Sequence, residues 1–113
     1  MNCVFCKIIA GEIPGNFVHQ DEDMVAIRDI NPQAPLHVLI VPRRHVATLN
    51  DLSVEDDALV GAMFRRAAAL AKEHGYDERG YRTVFNCNWE AGQTVLHIHL
   101  HLLAGRHLAW PPG

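Results

Sequence analysis

Apolar and polar positions alternate along this chain in short, well-separated blocks, and each block has a readable period. Cys3-Val4-Phe5-Cys6-Lys7-Ile8-Ile9-Ala10 is apolar apart from one lysine and stops at Gly11, with Pro14 and Gly15 beyond, which predicts a short N-terminal helix. Phe17-Val18-His19 and Met24-Val25-Ala26-Ile27-Arg28 flank the polar turn Gln20-Asp21-Glu22-Asp23 and predict two hairpin strands. Asn31-Pro32-Gln33-Ala34-Pro35 is expected as a loop, because its prolines exclude a regular ladder. Leu36 to Val41 follows as an apolar strand, interrupted only by His37 and closed by Pro42.

The period then changes. Ser53 is a good N-cap, Glu55, Asp56 and Asp57 suit a positive helix end, and Lys72 and His74 precede Gly75. Val60, Met63, Phe64, Ala67 and Ala71 recur at helical spacing and define one apolar face, and the small Ala67, Ala68 and Ala69 allow close approach of a neighbour. Tyr81 to Phe85 is expected as a strand, Asn86 to Thr94 as a polar loop, and Val95 to Leu103 as the last strand. No room is left for repeated crossovers. The fold class implied is α+β: an antiparallel sheet of about five strands, one long helix on its face and a short N-terminal helix.

Composition narrows the picture without naming a function. The 113 residues fit one domain, taken as 1–113, and 49% hydrophobic with 20% charged residues suits a packed core. Ten basic and thirteen acidic side chains are interspersed, with a net charge of −3, so neither a nucleic-acid groove nor an anionic membrane patch is expected. No apolar run approaches a membrane span and no signal segment is recognised, so a cytoplasmic protein is expected. Three cysteines make a secreted disulfide framework a poor reading. Eight histidines are the outlying count, and His97, His99, His101 and His107 lie close together.

Val95-Leu96-His97-Ile98-His99-Leu100-His101-Leu102-Leu103 alternates with period two. His97, His99 and His101 are thus expected on one face, with Ile98, Leu100 and Leu102 on the other. A merely solvated face would carry Lys, Glu, Thr or Ser; imidazoles are the groups that attack, ligate and exchange protons near neutral pH. At ~3.3 Å per residue, His97 and His101 stand ~13 Å apart, too far for the whole triad to share one ion with bonds of ~2.0–2.1 Å. Neighbours ~6.6 Å apart can flank a phosphate, with His99 placed to attack and His101 beside it to donate a hydrogen bond. Gly92-Gln93-Thr94 offers backbone N–H groups, an amide and a hydroxyl to phosphate oxygens. Asn86 reads either as a turn cap or as a group facing the same site, and His37 either as a hydrogen-bonded core histidine or as a proton carrier. Cys3-x-x-Cys6 can bind a metal, act in redox or do neither, and a pair alone falls short of four zinc ligands.

These residues resemble the histidine triad (HIT) superfamily. His97-Ile98-His99-Leu100-His101-Leu102-Leu103 matches its His-φ-His-φ-His-φ-φ signature, where φ is apolar. The similarity extends through Phe5-Cys6-Lys7-Ile8-Ile9, Glu12-Ile13-Pro14, Asp29 to His37, Val41-Pro42-Arg43-Arg44-His45 and Ala91 to Val95. The ending Gly105-Arg106 and Trp110-Pro111-Pro112-Gly113 looks like the purine nucleoside phosphoramidases of the HINT branch. The resemblance implies a HIT-like fold and a hydrolase of purine nucleoside phosphoramidates, of AMP or GMP type, acting through a nucleotidyl-histidine on His99. It further implies that His97 lends its carbonyl to the nucleophile's other ring nitrogen, and that His37 joins a proton relay. His101, Asn86 and Thr94 would contact phosphate; Asp29 would bind ribose; Phe5, Ile8, Ile27 and Ile30 would wall the base pocket. It also implies a homodimer whose two sheets join, and a structural zinc on Cys3, Cys6, His45 and His97 that catalysis does not require; Cys87 is the competing ligand. Three alternatives remain: a diadenosine polyphosphate hydrolase, a metal-dependent hydrolase, and a non-catalytic nucleotide-binding regulatory dimer. Trp89, in a loop that departs from the animal members, leaves the leaving group open.

Overall fold

The computed structural model describes residues 2–113. Its elements follow the order read from the sequence: α1 (Val4–Ile9), β1 (Phe17–Gln20), β2 (Met24–Arg28), β3 (Leu36–Pro42), α2 (Asp57–Glu73), β4 (Arg82–Val84) and β5 (Leu100–Ala104). The five strands form one antiparallel sheet in the order β1-β2-β3-β5-β4.

The adjacent interior strands β2 and β3 are buried along almost their whole length because both sheet faces are covered. On one face Met24, Ala26, Val38, Ile40, Leu100 and Leu102 pack with Met63, Ala67, Leu70 and Ala71 of α2. On the other, Val25, Ile27, Leu39 and Val41 pack with Phe5 and Ile8 of α1 and with Cys3 at its N-cap. The second face belongs to the site, so the short N-terminal helix is the element that shapes it. Ile40 and Leu100 are fully buried, and truncating either to Ala costs ~2–5 kcal/mol.

Three local expectations are corrected. Helix α2 starts at Asp57, after a 3-10 turn over Val54–Asp56, because the Asp56 carboxylate reaches back to the Ser53 N–H (2.9 Å) and tightens that turn; the Arg44 guanidinium pairs with the same carboxylate. At the far end Gly75, at φ +82, takes the left-handed turn that lets Tyr76 N–H reach the Ala71 carbonyl (2.8 Å). Phe64 is 44% exposed and packs edge-on against Phe85 (ring centroids 5.8 Å), while Leu70, not Phe64, fills the core.

The third correction concerns the histidine strand. Its regular part begins at Leu100, and residues 95–99 are irregular. The register that pairs Ile40 with Leu100 would place Ile98 opposite Pro42, which has no N–H to continue the ladder. Ile98 N–H turns instead to the Val46 carbonyl (2.8 Å). That bend separates His97 from the other two histidines.

Candidate active site

A cavity of about 340 Å³ opens on the α1 side of the sheet. Phe5, Ile8, Ile27 and Leu39 form its apolar part, with Ile30 at the fully exposed rim. Asp29, Asn86, Gly92, Thr94, His99 and His101 supply its polar part. The structure therefore brings together ten of the residues expected around a nucleotide: Phe5, Ile8, Ile27, Asp29, Ile30, Asn86, Gly92, Thr94, His99 and His101. Gln93 is the exception. Its Oε1 accepts from Asn88 N–H (2.8 Å), and its Nε2 donates to the carbonyls of Ala47 (2.8 Å) and Val95 (3.0 Å). With its amide committed in this way, Gln93 fixes the loop rather than facing the cavity.

Hydrogen-bond partners decide which ring nitrogens hold protons. A carbonyl oxygen only accepts, so the 2.8 Å contact between His99 Nδ1 and the His97 carbonyl places a proton on Nδ1. In the neutral ring, Nε2 of His99 is left with a lone pair toward the cavity. His37 is held the other way round: its Nδ1 accepts from the Gln33 backbone N–H (3.0 Å), so its proton sits on Nε2. That proton faces His101 Nδ1 at 2.9 Å and Asp29 Oδ2 at 3.4 Å. His101, accepting on Nδ1, carries its own proton on Nε2 toward the cavity. The cavity thus holds one imidazole with a lone pair forward and another with a proton forward, their ring centroids 5.0 Å apart.

The strand register explains this pairing. His37 pairs with Leu103, and Leu39 with His101, so His37 and His101 are diagonal neighbours on one sheet face. Asp29 is oriented by Asn31 N–H on its other oxygen (2.8 Å). Burial lowers the pKa of His99 below the usual imidazole range, opposed by its bond to the His97 carbonyl. Burial, then the His99 and His37 charges, pushes His101 down to about 4. His37 is lowered mainly by burial, with Asp29 pulling the other way. All three imidazoles are neutral at pH 7 in the free protein.

His97 faces elsewhere. Its Nε2–H donates to the Pro42 carbonyl (2.8 Å), which leaves the Nδ1 lone pair pointing at Cys3 Sγ (3.3 Å), Cys6 Sγ (3.6 Å) and His45 Nδ1 (3.1 Å). Cys6 Sγ lies 3.4 Å from His45 Nδ1, and the four ligand atoms all fall within 4.8 Å of one another. A tetrahedral ion with bonds of ~2.3 Å to sulfur and ~2.0–2.1 Å to nitrogen has edges of ~3.3–3.8 Å, so this donor set fits one. Burial and the Cys3 neighbour raise the Cys6 thiol pKa, a penalty that a cation would reverse. Cys87 is not part of the cluster.

Asp29, His37 and His101 also lie close enough to share an ion. Their tautomers argue against it. A metal at His37 Nε2 would require the proton on Nδ1, where it would confront the Gln33 N–H. This cluster is built to hold protons. Sequence reasoning could not see the Gln33 N–H or the Pro42 carbonyl, because both are backbone groups positioned only by the fold.

A family model described as scavenger mRNA decapping enzyme C-terminal binding matches residues 2–109. A purine nucleoside phosphoramidase of Escherichia coli K12 is 49% identical over 93% of this chain and 88% of its own. A HIT family hydrolase from Legionella pneumophila superposes with a TM-score of 0.97 and 54% identity, covering 99% of this chain and 100% of that one. A zinc-bound histidine triad family protein from Mycobacterium smegmatis superposes at 0.82 with 37% identity, over 95% of this chain and 77% of that one. The chain belongs to the histidine triad family, and it is a hydrolase.

Proposed function

We propose that this hydrolase cleaves purine nucleoside phosphoramidates, of AMP or GMP type, to a nucleoside monophosphate and an amine. The observation that carries the reading is the opposed pair of ring protons: lone pair forward on His99, N–H forward on His101. The apolar end of the cavity suits a base, Asp29 suits ribose hydroxyls, and Asn86, Gly92 and Thr94 suit phosphate oxygens. His99 Nε2 attacks phosphorus, a P–N bond forms to the histidine, and the original P–N bond breaks. The departing amine takes the proton from His101 Nε2, while the His37 Nε2–H stays in its hydrogen bond to His101 Nδ1; the negative charge left on His101 is balanced by the positive charge that the new P–N bond gives the His99 ring. Water then attacks phosphorus, the P–His99 bond breaks, and the water's proton returns to His101.

Cys3, Cys6, His45 and His97 would hold a structural zinc, which supplies folding free energy and no step of the reaction. The fit of the donor set supports this, as does the zinc-bound relative. The edge strand β4, beside the exposed Phe64, suits the joined sheets of a homodimer. No helix among the described residues is long and apolar enough to cross a membrane, and we place the protein in the cytoplasm. A mass spectrum after rapid acid quenching tests the chemistry. A nucleotidyl adduct on the His99 peptide is expected; nucleotide binding with no adduct at any time would leave a non-catalytic binder.

A further inference from the structure

A second cavity of about 560 Å³ adjoins the first and is lined by Asn88, Trp89, Gly92, Gln93, Thr94 and Leu96. Gly92 and Thr94 line both. With a base among Phe5, Ile8 and Ile27, the phosphorus lies at the polar end, beside Gly92, Thr94 and His99. The group that leaves phosphorus then has the second cavity as its neighbour. No charged side chain lines it, and its two large apolar surfaces are Trp89 (85% exposed) and Leu96 (58% exposed).

An exposed indole on a loose loop would mean little, but this one is braced. Asn88 sits at φ +66, outside the comfortable range for a side-chain-bearing residue, and Gly92 is left-handed at φ +85. Gln93 holds that geometry with both backbone and side chain: Asn88 N–H reaches Gln93 Oε1 (2.8 Å), and Gln93 N–H reaches the Asn88 carbonyl (3.1 Å). Gly92 N–H closes the turn on the Trp89 carbonyl (2.9 Å). The backbone under Trp89 is thereby fixed, and a ring that stacks on it needs little further ordering of the loop.

We infer that Trp89 and Leu96 form a leaving-group subsite that favours phosphoramidates whose amine bears an aromatic side chain. The inference rests on the phosphoramidase reading above. Stacking of this kind is worth roughly 3- to 10-fold in affinity.

The test uses the full chain with two substrates, adenosine 5′-phosphoramidate and its N-indolylethyl derivative. The ratio of their kcat/KM values should favour the indole compound by roughly 3- to 10-fold in the wild type. Trp89→Ala should bring the ratio close to one, and Trp89→Phe should keep most of it. Calorimetric titration of His99→Asn with the same two amides reads the subsite without turnover, and the same preference is expected, lost again when Trp89→Ala is added. A wild type that hydrolyses neither amide while His99→Asn still prefers the indole compound would sink the phosphoramidase reading and uphold the subsite. Hydrolysis of both amides with a ratio indifferent to Trp89→Ala, or equal binding of both by His99→Asn, would overturn the subsite and leave the phosphoramidase reading intact.

Discussion

Two histidine clusters meet at Phe5, whose ring touches His97 (centroids 5.8 Å) and His99 (4.9 Å), and they are built from the same side chain for opposite purposes. In the first, a carbonyl stands behind His97, so the ring carries its proton backward and turns a lone pair toward two thiols and a second imidazole. In the second, an amide N–H stands behind His37, so the ring carries its proton forward, through His101 and into the cavity. One backbone group of opposite polarity separates the proposed metal site from the proposed proton relay. His99 follows the first pattern, with the His97 carbonyl behind it, which leaves its lone pair forward for the nucleophilic role proposed above. A cluster of histidines is therefore not a function until the partner of each second nitrogen is known.

The sharpest way to break the comparison is at His99. His99→Asn keeps a polar side chain but no nucleophilic imidazole, and turnover should fall by roughly 10⁴-fold or more while nucleoside monophosphate binding persists. Retained turnover in single-turnover assays would remove His99 from its role. Next comes the forward proton. His101→Gln should cost roughly 10²- to 10⁴-fold on amide substrates and much less on a 4-nitrophenyl nucleotide ester, whose leaving group departs without a proton. Equal losses on both substrates would assign His101 to phosphate binding alone.

The metal side gives smaller and different effects. Cys3→Ser should lose zinc and lower Tm by about 10 °C, as expected for several kcal/mol in a chain of this size. In folded protein kcat should hold within a few fold. KM should rise, because the helix that carries Cys6 also carries Phe5 and Ile8 of the cavity wall. Zinc content, Tm and both kinetic constants measured on one preparation separate these outcomes; full zinc occupancy, or a collapse of kcat alone, contradicts the division between clusters.

The smallest effect is a pH dependence of stability. His101 titrates near 4 in the folded chain and near ~6.5 when unfolded, so the unfolded state takes up more protons between those values. Its contribution is fully present above ~6.5 and is lost as pH falls toward 4. The slope of Tm against pH between 5 and 6.5 should be shallower in His101→Gln than in the wild type; identical slopes would show that His101 is not held neutral by the fold.

Much of this was legible in the chain. The five strands and both helices follow from periodicity, and the spacing of the triad argues against one ion shared by all three histidines, which the structure divides between two clusters. What periodicity missed lies where one backbone group overrides a side-chain pattern. Pro42 has no N–H, and it ends the ladder before His97 and His99, although their alternation with Ile98 continues unbroken. Phe64 has the helical spacing of a core residue but points at the sheet edge beside Phe85. Gln93 looks like a phosphate ligand in sequence, yet its amide is fully engaged by three backbone groups that only the folded loop assembles.

The central claim is a set of proton positions, and nitrogen NMR of histidine-labelled protein at pH 7 reads them directly. Long-range nitrogen–proton correlation spectra distinguish a protonated Nδ1 from a protonated Nε2 in each neutral ring. The account predicts Nδ1–H for His99, and Nε2–H for both His37 and His101. A His99 ring protonated on Nε2, or a His101 ring protonated on Nδ1, would contradict it.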